Sequence, residues 1–230
     1  MNKPNLSLLT KITQRLLPVA LLVLPATMQG QGDIYRADTW DFSVRLVQQL
    51  SFDINGKGGS KINASDQLGF GIDFGYNFSP HWKLGGSFDY VNPDYTSTLI
   101  PEDPGDDIVK IDHDMDMFDF QINGTFFLID GPFTPFVKAG IGWTYVDTNV
   151  AKGRPQTGCY WDPWWGYICT TTQDSYDDWL FAYNVALGIR WEVQDSLVLT
   201  LSYQEQWLDF GNASGTPSIG KVMIEAGFNY

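Results

Sequence analysis

An alternation of apolar residues with small or polar residues, with a period of two, runs through most of the chain. It is clearest in LGFGIDFGYNF (residues 68–78), where every even-numbered residue is apolar or aromatic and every odd-numbered residue is Gly, Asp or Asn. A period of two places successive side chains on opposite faces of an extended chain. The segment therefore predicts a β-strand with one apolar face.

Seven further segments show the same alternation: residues 42–53, 82–90, 118–126, 137–145, 179–191, 197–204 and 221–230. Tight turns join three pairs of them, through SPH (79–81), IDGP (129–132) and Gln194-Asp195. The other connections are long: residues 55–67, 92–115, 147–178 and 209–218. An even number of strands with alternating short and long connections predicts an all-β fold: an eight-stranded antiparallel transmembrane β-barrel with short periplasmic turns and long extracellular loops.

The first thirty residues differ from the rest. They contain Lys3, Lys11 and Arg15 but no acid, and then the apolar run LLPVALLVLPA (16–26). This order is typical of a secretory signal peptide, here residues 1–30 with a cut between 26 and 31. A membrane anchor is the alternative, but it needs about 20 apolar residues. We expect residues 31–40 to be a short periplasmic lead and residues 41–230 to form the barrel.

The charge of the chain excludes some partners. Removing residues 1–30 removes three positive charges and no negative ones, so the formal net charge changes from −13 to −16. An acidic protein is a poor partner for nucleic acid, whose phosphates attract cations. We therefore expect no nucleic-acid partner. The location predicted for the exported protein is the cell outer membrane, which it crosses several times.

The polar faces of the strands carry equal numbers of opposite charges. They are Arg45, Lys83, Lys138, Arg190 and Lys221 against Asp53, Asp73, Asp89, Asp119 and Glu225. We predict that these groups face the lumen and that all of them except Asp53 form a charge network there. A bore of eight strands is just wide enough for side chains to fill, which favours a structural network. The alternative is an ion path or gate.

The apolar faces carry more than a dozen Phe, Trp and Tyr residues, too bulky for the interior of eight strands. A soluble carrier with its apolar face inward is therefore the weaker alternative, and these residues are expected to face lipid. Aromatic residues also gather near the strand ends, as two membrane-interface girdles would require. The turn-side set is Tyr76, Phe78, Trp82, Trp191, Phe228 and Tyr230, and the loop-side set is Tyr90, Trp143, Tyr145, Trp179 and Trp207.

The third long loop contains GCYWDPWWGYIC (158–169), with the two cysteines of the chain. The C-x9-C spacing differs from the redox spacing C-x-x-C, so we predict a structural disulfide, Cys159–Cys169. Between the cysteines lie five aromatic residues: Tyr160, Trp161, Trp164, Trp165 and Tyr167. Three interpretations remain: packing on each other and on the outer girdle, contact with lipopolysaccharide or the outer leaflet, and a recognition tip for a surface partner.

No pattern in the sequence predicts catalysis, a metal site or a cofactor. His81 lies in a predicted periplasmic turn, and His113 lies at a loop end without the serine partner that lipid-modifying chemistry would need. The loop 92–115 is rich in acids but lacks the ligand spacing of a calcium loop. A solvated acidic loop is favoured over one that binds divalent cations. We therefore expect a protein that is not an enzyme.

Several motifs carry a resemblance to a known family. GIDFGYNFSPHWKLGGSFDY (71–90) resembles the second hairpin of small OmpA-like and opacity-type outer-membrane barrels, in the porin family. TPFVKAGIGW (134–143) and FAYNVALGIRWEVQDSLVLTLSYQE (181–205) resemble their later strands. The resemblance covers residues 41–230. It implies that the C-terminal Phe228 and Tyr230 form the signal read by barrel assembly machinery.

The resemblance implies location and fold more strongly than function, because one fold hosts many functions. Members of the family serve as structural anchors, adhesins, narrow channels and resistance factors. We expect a structural or surface-interaction role, with outer-membrane lipid and lipopolysaccharide as surroundings and no identified surface ligand. A narrow channel for water, ions or small solutes is the alternative, and a lipid-modifying enzyme is less favoured.

Overall fold

A computed structural model of the chain describes residues 36–56, 59–99, 109–193, 196–211, 213 and 215–230. The expected signal segment, the turn at Gln194-Asp195 and residues 100–108 of the second long loop lie outside these residues. The described residues form twelve strands: β1 (Thr39–Gln49), β2 (Phe52–Asn55), β3 (Lys61–Ala64), β4 (Gln67–Asn77), β5 (Trp82–Val91), β6 (Asp94–Leu99), β7 (Val109–Asp114), β8 (Asp116–Phe127), β9 (Phe133–Asp162), β10 (Gly166–Glu192), β11 (Leu197–Leu208) and β12 (Ser218–Asn229). They contain no helix long and apolar enough to cross a membrane.

Eight of the strands form a closed antiparallel barrel in the order β1-β12-β11-β10-β9-β8-β5-β4. β1 closes it, since Val44 lies opposite Ala226 of β12 on one side and Ile72 of β4 on the other. The predicted eight-stranded barrel is thereby confirmed. Its first strand runs from Thr39 to Gln49, so it begins before residue 41 and does not extend to Phe52 as the alternation suggested.

A second sheet, in the order β2-β3-β6-β7, was not expected from the sequence. β3, β6 and β7 lie in segments interpreted as loops, and β2 includes Phe52 and Asp53, which were expected at the end of the first barrel strand. β2 continues from β1, and β6 and β7 connect β5 to β8. An isolated bridge between Gly56 and Ala213 links this region to the connection between β11 and β12. We call the end of the barrel that adjoins this sheet the loop end, and the opposite end the turn end.

The two faces of the barrel strands differ in the direction expected for a barrel in lipid. Along β4, Gly69, Gly71 and Asp73 are buried, whereas Leu68, Phe70 and Phe74 are exposed. Because the sheet is closed, the buried face points into the lumen. The apolar face is thus outside and the polar face inside, the reverse of a water-soluble barrel.

Glycines on the inner face provide room for the lumen side chains. A Cβ at Gly71 would lie 2.0 Å from Asp89 Oδ1, and one at Gly142 would lie 1.8 Å from the carbonyl oxygen of Phe120. Neither position can accept a larger residue without displacing its neighbours. The small residues of the alternation are therefore a packing requirement of a narrow barrel.

Candidate functional site: the barrel lumen and the β9–β10 hairpin

The lumen at the turn end holds two arginines bound to two carboxylates. Arg190 donates two hydrogen bonds to Asp41, at 2.6 Å and 3.0 Å, and a third to Glu192 at 2.9 Å. Arg36 donates to the same oxygen of Glu192 at 2.7 Å and to Thr134 Oγ1 at 3.0 Å. These buried groups tie β1, β10 and β9 together across the turn end.

Arg36 also closes this end towards the turns. Its Nη1 donates to the carbonyl oxygen of Pro80 at 3.1 Å, and its Nη2 donates to that of Gly131 at 3.2 Å. Its guanidinium lies 4.4 Å from the centre of the Phe127 ring, within the range of a cation–π contact. A residue of the expected periplasmic lead is therefore part of the lumen packing.

The middle of the lumen holds a cluster of alternating charges. Lys83 Nζ lies 2.6 Å from Asp73 and 3.3 Å from Asp41. Lys138 Nζ lies 3.6 Å from the other oxygen of Asp73 and 3.7 Å from Glu225. Each cation is shared between two carboxylates, so the cluster is continuous with the one at the turn end.

Arg45 and Asp89 complete this middle cluster. Arg45 Nε donates to Asp89 Oδ1 at 2.5 Å, and its Nη1 lies 3.6 Å from Glu225. Nearer the loop end, Asp119 forms an ion pair with Lys221 and accepts hydrogen bonds from Thr144 and Gln206. Lys221 is fully buried, so its charge depends on Asp119 for compensation.

The structure brings together in the lumen all nine charged residues that the sequence placed there: Arg45, Asp73, Lys83, Asp89, Asp119, Lys138, Arg190, Lys221 and Glu225. The inclusion of Asp53 on the polar face is wrong. It lies on β2, outside the barrel, and pairs with Lys61 at 3.2 Å on the surface. Sequence reasoning missed Arg36, Asp41 and Glu192. With these three, six cations face six carboxylates.

An apolar cluster closes the loop end of the lumen, and we call it the cap. From the barrel it takes Met117, Val146, Leu180, Ala182, Leu208 and Ile219, and from the second sheet and its connections Phe52, Ile54, Ala64, Tyr95 and Met115. All of these side chains are buried. The Tyr95 hydroxyl donates to the carbonyl oxygen of Thr148 at 3.0 Å, so its polar end is satisfied. The second sheet therefore packs its apolar side onto the mouth of the barrel.

A cavity of about 30 Å³ remains in the turn half of the lumen. Lys83, Lys138, Arg190, Asp41 and Glu225 line it. This volume is of the order that one or two water molecules need, and the lining is polar enough to bind them. The cavity is thus large enough to hold one or two water molecules, on a scale far below that of an open pore.

A polar cluster ties the β6–β7 region to the base of the β9–β10 hairpin. The amides of Asn92 and Asn149 donate to Asp114 Oδ2 at 3.2 Å and 2.9 Å. These hydrogen bonds, that from Asn92 above all, stabilise the charged form and hold the pKa of Asp114 below its ordinary value of 3.8. Asn149 has a left-handed backbone, φ 53°, which turns its amide towards Asp114.

The third long loop is a continuation of β9 and β10. β8 accompanies β9 only as far as the pair Asp116 and Asp147, yet β9 and β10 remain paired to Asp162 and Gly166. Fifteen residues of β9 lie beyond residue 147, about 50 Å of extended chain at roughly 3.3 Å per residue. Register shifts interrupt the pairing between Thr172 and Asp174 and between Ser175 and Asp177.

The disulfide Cys159–Cys169 joins directly opposed residues of this hairpin, as predicted. The aromatic residues lie on the ends of β9 and β10 and in the turn at residues 163–165 between them. Gly166, which follows the turn, has a left-handed backbone with φ 76°. Trp161, Trp164, Trp165 and Tyr167 are 74%, 84%, 80% and 66% exposed. Such exposure favours the interpretations in which these residues contact the outer leaflet or a surface partner over the one in which they pack on the outer girdle. The side chain of Tyr160 lies outside what the structure describes.

A sequence profile of the outer membrane protein β-barrel domain matches residues 19–230. The chain belongs to this outer-membrane β-barrel family. It is therefore an integral outer-membrane protein that crosses the membrane with the eight barrel strands, so its turn end is periplasmic and its loop end extracellular.

Curated relatives match only a part of the chain. An uncharacterized protein of Brucella abortus (strain 2308) is 33% identical over 90 residues, 37% of this chain and 28% of that protein. A similar protein of Brucella suis biovar 1 is 32% identical over the same length. The matched region thus spans less than a third of these curated relatives.

Of two similar solved structures, the first shows the likeness in fold. Neisserial surface protein A is 9% identical, with a TM-score of 0.51 over 83% of this chain and 95% of that chain. The attachment invasion locus protein of Yersinia pestis, solved with the heparin analogue sucrose octasulfate, is 18% identical, with a TM-score of 0.49 over 84% and 99%.

Aromatic pairs mark both ends of this outer-membrane barrel. At the extracellular side, ring centres lie 5.1 Å apart in Tyr145–Trp179 and 5.2 Å apart in Tyr183–Trp207. At the periplasmic side, Trp40 lies 5.0 Å from Tyr76, a partner that the alternation did not reveal. Side chains with an apolar body and a polar tip suit the two interfaces of the membrane.

Two carboxylates on the lipid-facing side near the extracellular end interrupt the apolar surface. Asp116 accepts a hydrogen bond from the Tyr90 hydroxyl at 2.6 Å, and Glu205 accepts one from the Tyr203 hydroxyl at 2.6 Å. Each tyrosine belongs to the interfacial aromatic zone. The two acids are thus satisfied where the barrel leaves the hydrocarbon region.

The remaining predicted positions lie apart from these clusters. His81 Nδ1 lies 3.0 Å from the carbonyl oxygen of Phe127, and His113 lies on β7 opposite Tyr95. Phe228 and Tyr230 are exposed at the periplasmic end, and Phe228 pairs with Phe42 of β1. Among the residues that the structure describes, no group of three or more His, Cys, Asp or Glu residues could hold a metal ion.

Proposed function

We propose that this outer-membrane protein is a closed membrane anchor that displays the β9–β10 hairpin at the cell surface. The observation that carries the proposal is the combination of a filled lumen with a long exposed hairpin. Six cations and six carboxylates compensate one another inside the barrel, and the cap seals the mouth above them. The largest extracellular element of the chain therefore extends outward from the barrel and does not line a pore.

The filled lumen argues against the alternative function, a narrow channel. An ion would have to break pairs such as Lys221–Asp119, which have no contact with bulk water. Breaking a buried ion pair typically costs about 3–5 kcal/mol, because each charge is left uncompensated. Above this level, the cap fills the path with side chains that are apolar apart from the hydroxyl of Tyr95, which is bound to Thr148. Permeation would therefore need both barriers to open together.

A non-catalytic role is part of the proposal. His113 lies on β7 with its Nδ1 3.9 Å from Asp114, on a strand outside the barrel wall. Nucleophilic chemistry needs a nucleophile within hydrogen-bond reach of its base. We expect His113→Ala to leave the lipid A of expressing cells unchanged by mass spectrometry. Altered acylation of lipid A would contradict this part of the proposal.

The positions of two groups of aromatic residues suggest partners of the protein in the cell envelope. Phe228, on the last strand, and Tyr230, directly after it, are exposed aromatic residues, which suits recognition by the barrel assembly machinery. The extracellular aromatic zone around Trp179 and Trp207 suits contact with lipopolysaccharide at the outer interface. Deletion of Tyr230 should lower the fraction of chains that reach the heat-modifiable, folded form in membranes, and an unchanged fraction would argue against the signal.

Surface display is tested on intact cells through the two cysteines of the chain. After mild reduction, a membrane-impermeant maleimide should label Cys159 and Cys169 without permeabilisation. A matched control places one cysteine at the exposed periplasmic position Asp130 in a chain with both native cysteines replaced by serine, and it should be labelled only after permeabilisation. Equal labelling of both positions, or labelling of Asp130→Cys alone, would overturn the proposed display.

A further inference from the structure

The end of the β9–β10 hairpin is an exposed aromatic surface, which we call the tip: Trp161, Trp164, Trp165 and Tyr167. Three tryptophans within five residues, each at least 74% exposed, leave a large apolar area in contact with water. Contiguous exposed apolar patches on folded proteins mark sites of contact with other proteins or with membranes. The tip is therefore a candidate surface for contact with another protein or a membrane.

The charge of the tip limits what that occupant can be. Residues 155–173 contain one charged residue, Asp162, whereas 18% of the whole chain is charged. The nearest cations in sequence are Lys152 and Arg154, towards the base of the hairpin. A surface covered with phosphate, such as lipopolysaccharide, favours proteins that present lysine and arginine. The absence of cations from the tip sequence thus disfavours an anionic surface.

Side-chain chemistry favours the interface of a zwitterionic bilayer. Trp and Tyr are the residues that concentrate at membrane–water interfaces, because their rings are apolar and their N–H or O–H groups remain hydrated. Insertion of the tip would bury apolar ring area while moving at most one charged side chain out of water.

The hairpin is long enough to carry this tip beyond its own membrane, and its paired strands give the tip a defined shape. Its strands remain paired for about 50 Å of extended chain beyond the last contact with β8. The disulfide between Cys159 and Cys169 joins the two strands just below the aromatic residues. A tip that is already ordered loses less conformational entropy on binding than a flexible loop.

We propose that the tip inserts into the headgroup region of a phospholipid bilayer that faces the cell. The proposal rests on the proposed function, because the hairpin must be displayed outside. It goes further by naming the partner: a zwitterionic phospholipid surface in trans, and neither lipopolysaccharide of the same cell nor a protein receptor. The tryptophans provide the affinity for the bilayer, and the paired strands carry them to its surface.

The test uses the folded, disulfide-bonded protein in nanodiscs, mixed with phosphatidylcholine vesicles whose acyl chains carry bromine. Bromine quenches tryptophan fluorescence only at close approach within the bilayer. We expect quenching and co-flotation with the vesicles. Each of Trp161→Ala, Trp164→Ala and Trp165→Ala should weaken binding about tenfold, and the triple variant should abolish it.

Tyr176→Ala is the matched control. Tyr176 is also an exposed aromatic residue of the hairpin. It lies on the shaft, by which we mean the paired residues 148–158 and 170–178 between the barrel wall and the tip, and Lys152 Nζ is 5.5 Å from its ring centre. Its replacement should leave vesicle binding unchanged. The disulfide and the heat-modifiable gel mobility of the barrel report folding of each variant. The single variant Trp164→Ala, at the most exposed position of the tip, keeps the test valid if the triple variant misfolds.

Four results would overturn the proposal: no quenching by brominated vesicles, equal binding by wild type and the triple variant, a loss of binding in Tyr176→Ala as large as in Trp164→Ala, or binding only to vesicles that contain lipopolysaccharide. Binding of the tip to a protein or a glycan without vesicle binding would also overturn it. Labelling of the hairpin cysteines on intact cells is independent of these outcomes. Labelled cysteines without vesicle binding would remove this inference and leave surface display intact.

Discussion

Arg190 and Asp41 join two strands that are not neighbours in the barrel wall. Nη1 and Nη2 of Arg190 lie 2.6 Å and 3.0 Å from the two carboxylate oxygens of Asp41, and both side chains are buried. β11 and β12 separate β10 from β1 in the wall, so the ion pair crosses the lumen. It shows how the interior is held together by side chains as well as by the hydrogen bonds between strands.

Replacement of Arg190 by methionine should be strongly destabilising. The change leaves Asp41 with Lys83 alone and removes one of the two arginines that bind Glu192. We expect the free energy of unfolding to fall by about 3–5 kcal/mol, measured by urea denaturation in lipid vesicles. The double variant Arg190→Met/Asp41→Asn should recover part of the loss, because the uncompensated carboxylate is gone. A loss below about 1 kcal/mol in the single variant would contradict a structural lumen network.

Two glycines of the barrel wall should respond differently to alanine. A Cβ at Gly142 would lie within 1.8 Å of the Phe120 carbonyl oxygen, whereas a Cβ at Gly124 would have no heavy atom within 4 Å. We expect Gly142→Ala to cost about 1–3 kcal/mol and Gly124→Ala to change stability by less than about 0.5 kcal/mol. Heat-modifiable gel mobility as a function of temperature measures both. Equal midpoints would show that the lumen has room to spare.

The inward and outward faces of the barrel strands could be predicted from the sequence because side-chain alternation is a local property. Gly71 and Asp73 point inward and Phe70 and Phe74 outward whatever the rest of the chain does. The partners of each charge could not be predicted in this way. Asp41 and Arg190 are 149 residues apart and meet only because the barrel closes. Arg36 belongs to no alternating segment, so no sequence signal marked it.

The second sheet could not be predicted because its strands are short. β2 and β3 have four residues each, too few for a periodic pattern to stand out. They become strands because packing onto the cap buries Phe52, Ile54 and Ala64. The same tertiary effect explains why Asp53, expected on the polar face of the first barrel strand, lies on the exposed side of this sheet, between the buried Phe52 and Ile54. The shaft of the hairpin, with Pro155 and Gly158, likewise lacks an alternation.

Asp114 should titrate below its ordinary value while its hydrogen bonds are intact. The amides of Asn92 and Asn149 bind the charged form, so their contribution is complete above about pH 4 and is lost as the pH falls through the lowered pKa. In Asn92→Ala/Asn149→Ala we expect the pKa to rise towards 3.8. Carboxyl carbon chemical shifts of Asp114 measure this by NMR. Identical titration curves for the two proteins would show that these amides do not stabilise the carboxylate.

Removal of the disulfide should affect the hairpin and leave the barrel unchanged. Closing so short a loop contributes about 3 kcal/mol to local order, but residues 158–170 have no neighbour in the barrel wall. In Cys159→Ser/Cys169→Ser we expect amide hydrogen exchange in this segment to become at least about tenfold faster, with exchange in β1, β4 and β12 unaltered. Faster exchange in the barrel strands would show that the tip and the barrel are coupled.

The central claim, that the barrel is closed, is tested most directly by single-channel recording. The mature protein, refolded and inserted in a planar lipid bilayer, is recorded with the disulfide oxidised and then reduced, with an open porin as the insertion control. We expect no discrete conductance steps in either state, because the charge network and the cap both fill the path. Steps in both states would contradict the closed lumen, and steps only after reduction would identify the β9–β10 hairpin as its lid.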